Sequence, residues 1–289
     1  MNQIGFIGIG VMGMPMSRNL LKKSGIPLVV SDLNKNAVAQ MRAIGAKSCE
    51  SAADVAGECD IVFTMLPRNE HVESVYSQLL PVAAPDQIFV DMSTISPGIS
   101  RKWADALQKK GAFMLDAPVV KSRPAAESGT LGIYVGGNKE IYERVLPLLS
   151  CMGSKILYLG DNGAGLVMKL CHNLLVTQIQ NGVNETLVLA KKAAGIDPGL
   201  FREACACGGA QNFYLDSKVS ALSDMDFTPA FKAEYMHKDV FLAKDLWEQC
   251  GLKLEGCELA TSRYDQVLAM GWGDEDFCST YKLFLPKEE

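Results

Sequence analysis

The stretch IGFIGIGVMG, residues 4–13, decides the fold of the first half of this chain. Its opening residues form a short apolar run that suits a buried parallel strand. Gly8, Gly10 and Gly13 then follow in the spacing GxGxxG. Glycines so placed permit a tight turn, close approach of the backbone to a diphosphate, and close packing of the next helix on the strand. Met12 to Lys23 reads as that helix, stopped near Gly25. Val11 and Met12 lie at its opening, where free N–H groups and the helix dipole favour an anion. The next strand, PLVVSD (27–32), ends in Asp32, 24 residues after Gly8. An acid at that point accepts hydrogen bonds from the adenine ribose hydroxyls. It also repels the extra phosphate of NADP, since a like-charge pair at about 4 Å costs about 4 kcal/mol at an effective dielectric near 20. The reading is a Rossmann-type βαβ unit that holds NAD rather than NADP. The competing readings are a glycine turn without a ligand and, for Asp32, a turn or helix N-cap residue.

Outward from this unit, strands and helices alternate. CDIVFTMLP (59–67), QIFVDMST (87–94), FMLDAPV (113–119), GTLGIYVGG (129–137) and KILYLG (155–160) read as strands. Asn36 to Ala43 reads as a helix with Gly45 at its end. This alternation predicts an α/β fold, a doubly wound and mostly parallel sheet with helices on both faces. The pattern changes after Gly165. No proline occurs from there to Ala194, and Leu166, Leu170, Leu174, Val176, Ile179, Val183, Leu187 and Leu189 recur at helical spacing. A helix of about 28 residues spans about 42 Å, long enough for a spine between domains. Pro198–Cys205, Tyr214–Leu222, Ala230–Cys250 and Leu259–Met270 also read helical. The expected organisation is a dinucleotide-binding domain over 1–163, an interdomain helix over 164–194, and an all-α C-terminal domain over 195–289 for substrate binding and oligomerisation.

The rest of the composition excludes several classes. A net charge of −5 with no long basic run argues against a nucleic-acid partner. The 9 cysteines are scattered, with no CxxC pair; Cys205 and Cys207 are two apart, but no second pair follows. Neither a disulfide scaffold nor a metal site is expected, and reduced thiols suit a cytoplasmic protein. No run of about 18 uncharged apolar residues occurs and no basic segment precedes an apolar one, so neither a membrane span nor a signal peptide is expected.

Five segments carry a family resemblance: GFIGIGVMGMPM (5–16), DMSTISP (91–97), DAPV (116–119) with AESGTL (126–131), GAGLVMKLCHN (163–173) and HKDVFLAKDL (237–246). Through them the chain resembles the β-hydroxyacid dehydrogenases, which include 3-hydroxyisobutyrate dehydrogenase, tartronate semialdehyde reductase and the succinic semialdehyde/glyoxylate reductases. The resemblance runs over nearly the whole chain in the family order. It implies hydride transfer between NAD and a small anionic hydroxy acid or aldehyde acid, of the β- or γ-hydroxy class, in a homodimer or homotetramer. It places the catalytic lysine at Lys169 and its companion asparagine at Asn173, four residues apart on one helix face, toward a cleft between the domains. A lysine beside a carbonyl can polarise it and supply the proton that the alkoxide requires. The resemblance also puts Leu66 and Pro67 against the dinucleotide, Thr94 on its nicotinamide side, Ser93 facing substrate, and Lys238 reaching back to the cofactor. The competing reading for Lys169 and Lys238 is a solvated helix lysine. His172 is a rival proton carrier, but the resemblance makes it structural.

One loop departs from the family. Where the family has Ser-Gly-Gly after DAPV, this chain has Val120, Lys121 and Ser122, followed by Arg123. Loss of two glycines predicts loss of a backbone nest that needs positive φ. Ser122 is placed to stand in for the missing serine. Lys121 or Arg123 is expected to meet a second or stronger anionic group, and sulfolactaldehyde reductases of this family carry a basic residue in the same loop. Arg pairs bidentately with carboxylate or sulfonate oxygens; the alternative is that one or both cations face solvent. A non-catalytic dinucleotide-binding interaction module is opposed by retention of Lys169 and Asn173. Imine reduction is opposed by the lysine, where such relatives carry Asp or Tyr.

Overall fold

A computed structural model describes residues 3–285. The elements run β1 (Ile4–Ile7), α1 (Gly13–Ser24), β2 (Leu28–Ser31), α2 (Lys35–Ala43), β3 (Lys47–Ser48), α3 (Ala52–Glu58), β4 (Ile61–Thr64), α4 (Asn69–Val82), β5 (Ile88–Asp91), α5 (Pro97–Gln108), β6 (Phe113–Asp116), β7 (Val119–Val120), α6 (Arg123–Ser128), β8 (Leu131–Gly136), α7 (Lys139–Leu149) and β9 (Gly153–Gly160). Helices follow: α8 (Ala164–Ala194), α9 (Pro198–Cys205), α10 (Phe213–Asp224), α11 (Ala233–Gln249), α12 (Glu255–Ala269), then a 3-10 helix over Phe277–Phe284. Local chemistry sets many of the boundaries. Asn34 caps α2, Ser51 and Asp54 form a capping box on α3, and Asn138 caps α7. Gly25, at φ 70°, ends α1 in the left-handed conformation.

The chain divides into two compact units, Met1–Lys169 and Leu170–Glu289. The division falls inside α8, so the opening turns of that helix belong with the sheet. In the first unit the strand order is β3-β2-β1-β4-β5-β6-β8-β7, with β9 beside β8. Strands β1 to β6 pair in parallel, while β8 runs antiparallel to β6 and β7. The segment FMLDAPV thus breaks into two strands, β6 and β7, around Ala117 and Pro118. Alternation of side chains then splits the core into two layers. Ile4, Phe6, Val30, Phe63 and Val90 pack on one face, and Val29, Val62, Phe89 and Trp103 on the other. The order reverses between β1 and β4, which opens a crevice at the C-terminal ends of these strands.

The second unit is helical among the described residues. Leu170 and Leu174 of α8 pack with Met236, Val240 and Trp247 of α11 and Tyr264 and Val267 of α12. Further along α8 its buried face is polar: Gln180 donates to the Phe277 carbonyl, and Asn184 donates to Thr280. Asp276 holds the start of the 3-10 helix, accepting from the Ala230 and Cys278 N–H groups and pairing with Lys218 at 2.8 Å. No described helix is long and apolar enough to cross a membrane.

Candidate active site

The glycine-rich turn stands at the crevice between β1 and β4. A Cβ on Gly8 would stand 2.3 Å from the Met65 carbonyl, and one on Gly13 would stand 1.9 Å from the Gly8 carbonyl. Both glycines are therefore required by packing within the unit. Gly10 differs: nothing lies within 4 Å of its missing side chain, and Gly10 and Val11 are exposed. Met12 offers no capping side chain to α1 and no acid stands in its first turn, so the helix start is open to an anion. These residues fit the diphosphate of a dinucleotide.

Asp32 follows β2 beside this turn. Its Oδ2 accepts from the Ile9 N–H at 2.7 Å and its Oδ1 from the Asn34 N–H at 2.7 Å. It therefore braces both the glycine turn and its own. Each carboxylate oxygen accepts more than one hydrogen bond, and Asp32 is only partly buried, so acceptor capacity is left for ribose hydroxyls. Leu66 and Pro67 follow β4 on the other side of the crevice and are at least partly exposed.

Beneath the loop after β5 lies a buried network. Asp91 Oδ1 accepts from Thr64 Oγ1 at 2.8 Å and from Ser93 Oγ at 2.5 Å. Ser93 Oγ in turn accepts from the Leu66 N–H at 2.8 Å. Asp91 Oδ2 is buried without a hydrogen-bond partner. Burial pushes the Asp91 carboxyl up to about 6, against the opposing hydrogen bonds from Ser93 and Thr64. Ser93, expected from the sequence to face substrate, has a wholly buried side chain whose one proton is donated to Asp91, so its hydroxyl ties the β5 loop to the β4 loop. Thr94, the next residue, is half-buried.

Lys169 is buried, at 8% exposure, in the second turn of α8. The start of that helix is anchored to the end of β6, where Asp116 accepts from the Gly163 and Leu166 N–H groups at 2.6 and 2.9 Å. Burial raises the Asp116 carboxyl while these two backbone donors oppose the rise.

The loop after β7 also differs from expectation. Lys121 has φ 77°, so the left-handed backbone is kept although the glycine is not. Its Nζ donates to the Thr130 carbonyl at 2.8 Å. Ser122 is the N-cap residue of α6 but makes no side-chain capping bond. Arg123 is exposed and pairs with Glu127 at 2.8 Å along α6, which turns its guanidinium along the helix surface. Such an exposed pair contributes at most about 1 kcal/mol.

In the second unit a polar cluster gathers around Asp239 of α11. Asn173 Nδ2 donates to Asp239 Oδ2 at 2.7 Å, and Lys238 Nζ lies 3.0 Å from Asp239 Oδ1. Because a carboxylate only accepts, this bond fixes which way the Asn173 amide points. Its Oδ1 then lies 3.2 Å from His172 Nδ1. Asp239 itself escapes the sequence reading. The signal was present in the Lys-Asp pair at 238–239, of which only the lysine is taken as functional. No cluster of three or more metal-ligating side chains occurs among the described residues.

The sheet order, the glycine turn at its switch point and Asp32 beside it define a dinucleotide-binding α/β protein. Comparison with known proteins carries the assignment further. Residues 3–160 match the family described as the NAD binding domain of 6-phosphogluconate dehydrogenase. Residues 163–284 match that described as the NAD-binding domain of NADP-dependent 3-hydroxyisobutyrate dehydrogenase. The chain is 36% identical to the NAD-dependent L-serine dehydrogenase of Pseudomonas aeruginosa, over 100% of this chain and 99% of that one. It is 35% identical to the 2-(hydroxymethyl)glutarate dehydrogenase of Eubacterium barkeri, over 98% of this chain and 94% of the relative. Among solved structures, the Mycobacterium tuberculosis 3-hydroxyisobutyrate dehydrogenase with L-serine superposes with a TM-score of 0.92. It is 31% identical, and the match covers 99% of this chain and 100% of that one. The chain belongs to the β-hydroxyacid dehydrogenase family.

Proposed function

We propose that this protein is an NAD-dependent dehydrogenase that interconverts a short β- or γ-hydroxy acid and its semialdehyde, with Lys169 as the general acid and base. The observation that carries the reading is a buried lysine on α8, whose first turn is fixed to the same sheet edge that carries the glycine turn. The nicotinamide ring supplies or accepts the hydride when the cofactor is bound. In reduction, the Lys169 ammonium hydrogen-bonds the aldehyde oxygen and gives it a proton as the alkoxide forms. In oxidation the neutral amine takes the hydroxyl proton back. Asn173 orients the same oxygen, its amide held by Asp239. Asp32 selects NAD by accepting from the ribose hydroxyls and repelling a phosphate there. Leu66, Pro67 and Thr94 line the dinucleotide, and Lys238, paired with Asp239, is a further cofactor-binding residue. A cytoplasmic homodimer or homotetramer is the expected form.

A second reading concerns the substrate's far end. Of the two cations in the 120–123 loop, Arg123 is engaged by Glu127, whereas Lys121 leans on a single carbonyl of its own loop. Lys121 therefore is the better candidate to meet a second carboxylate or a sulfonate. The Eubacterium barkeri relative is named for a substrate with two carboxylates, which supports a second anion at this family's site. NADH oxidation with succinic, tartronate and methylmalonate semialdehydes and with sulfolactaldehyde tests both readings. Turnover of at least one is expected, with preference for a doubly anionic substrate if Lys121 acts as argued. No oxidation with any of them contradicts the function.

A further inference from the structure

We propose that Asp116 is a positioning residue for Lys169, a strand-end carboxylate that caps the N-terminus of α8 and sets where the lysine stands. The inference rests on the assignment of Lys169 as the proton carrier. A helix begins with N–H groups that have no partner within the helix, and a side chain next to it in sequence usually serves them. Here the cap comes from β6. Asp116, with no solvent exposure, takes the Gly163 N–H on one oxygen and the Leu166 N–H on the other. The nearby Asn162 side chain does not take that place; it donates to the Met114 carbonyl of the same strand at 2.7 Å. Arg101 then holds the Asn162 carbonyl at 3.0 Å.

Room for this arrangement is cleared by glycines on β8 and at the start of α8. A Cβ on Gly136 of β8 would stand 2.7 Å from Asp116 Oδ1. One on Gly165 would stand 2.9 Å from Oδ2 and 2.4 Å from the Tyr134 carbonyl. Gly163 holds φ 92°, in the region that favours glycine. The helix start is thus packed against two strands and bonded to one of them. A negative charge at the positive end of the helix is favourable. Lys169 lies three residues beyond Leu166, in the turn that follows the capped one. A shift at the cap is transmitted to its Nζ. Displacement of a reacting group by about 1 Å costs about a hundredfold in rate.

Asp116→Asn tests this. The substitution keeps the shape and one accepting oxygen, but turns an NH2 toward an N–H that it cannot accept. The expected result is a kcat about 30-fold lower per NADH-binding site, with substrate KM and NADH Kd within about threefold. Hydrogen exchange should rise at least about tenfold across residues 163–170 and stay unchanged across 175–190. A role in stability alone would reduce the number of NADH-binding sites but leave kcat per site intact. Asn162→Ala, which removes only the neighbouring tie to Met114, should show the same pattern at about threefold in kcat, and it serves if Asp116→Asn does not fold. A kcat within twofold of wild type, or unchanged exchange at 163–170, in the folded variant overturns the proposal. Lys169→Ala separates the two ideas. If it keeps turnover, the assignment of the lysine fails, whereas an inert Lys169→Ala beside an unaffected Asp116→Asn removes only the positioning role.

Discussion

The turn after β1 and the turn after β7 both use a left-handed backbone, at Gly8 with φ 89° and at Lys121 with φ 77°. At Gly8 the choice of glycine is forced, because a Cβ would run into the Met65 carbonyl. At Lys121 a side chain is present and exposed, and it donates to the Thr130 carbonyl. A non-glycine residue held there costs about 1–2 kcal/mol. The first turn faces a group that every dinucleotide carries, so backbone alone suffices. The second, in our reading, faces the variable end of a substrate, and there an ammonium replaces a hydrogen atom. Strain retained in an exposed loop is the kind of local cost that functional positions carry.

A side chain forced into the first turn has the gravest consequence. Gly13→Val puts a branched side chain where even a Cβ would stand 1.9 Å from the Gly8 carbonyl. NADH affinity, followed by fluorescence titration, should fall at least about a thousandfold, with a lower melting temperature. Next comes Asp32→Ala, which removes both the ribose acceptor and the repulsion. The ratio of kcat/KM for NADH over NADPH should fall about a hundredfold; an unchanged ratio would return Asp32 to a bracing role alone.

The loop after β5 is a third case, held by a buried carboxylate rather than by glycine or lysine. Asp91 keeps its proton up to about pH 6 in the folded protein, against about 4 when unfolded. Its contribution is fully present below pH 4 and is lost as the pH rises through 6. Wild type should therefore lose up to about 3 kcal/mol relative to Asp91→Asn between pH 4 and 7, read from urea midpoints. Parallel curves would contradict the network.

Smaller effects sharpen the second turn. Lys121→Gly should leave stability unchanged or raise it by about 1 kcal/mol as the strain is relieved. It should raise KM about tenfold for a doubly anionic aldehyde and little for a singly charged one. Arg123→Ala should change activity by less than about twofold, since its partner is Glu127 on an exposed helix face.

Much of the fold was legible because it follows local rules. The helix expected from Met12 to Lys23 is α1 at Gly13–Ser24, and the proline-free stretch after Gly165 is α8 at Ala164–Ala194. Pro198–Cys205 has the expected ends, with Asp197 as its cap. What escaped depends on distant partners. Pro118 has no N–H for a ladder, yet FMLDAPV reads as one strand until the pairing of β6 and β7 with β8 is seen. The 3-10 helix at Phe277–Phe284 has little periodicity of its own and is set by Asp276 and by the polar face of α8. At the site, the glycines, Asp32 and Lys169 sit in motifs that a single sequence displays. The buried roles of Ser93, Asp116 and Asp239 do not show there, because their partners lie elsewhere in the chain: Leu66 for Ser93, Gly163 for Asp116 and Asn173 for Asp239. Positive φ at Lys121 was equally hidden, since glycine content is the usual cue.

In the proposed reaction Lys169 moves the proton while the glycine turn holds the cofactor. Single-turnover oxidation of enzyme-bound NADH by the best semialdehyde, in Lys169→Ala and in wild type, separates these two roles. Lys169→Ala should bind NADH within about threefold of wild type and oxidise it at a rate lower by about a thousandfold. A rate within tenfold of wild type with NADH fully bound would contradict it.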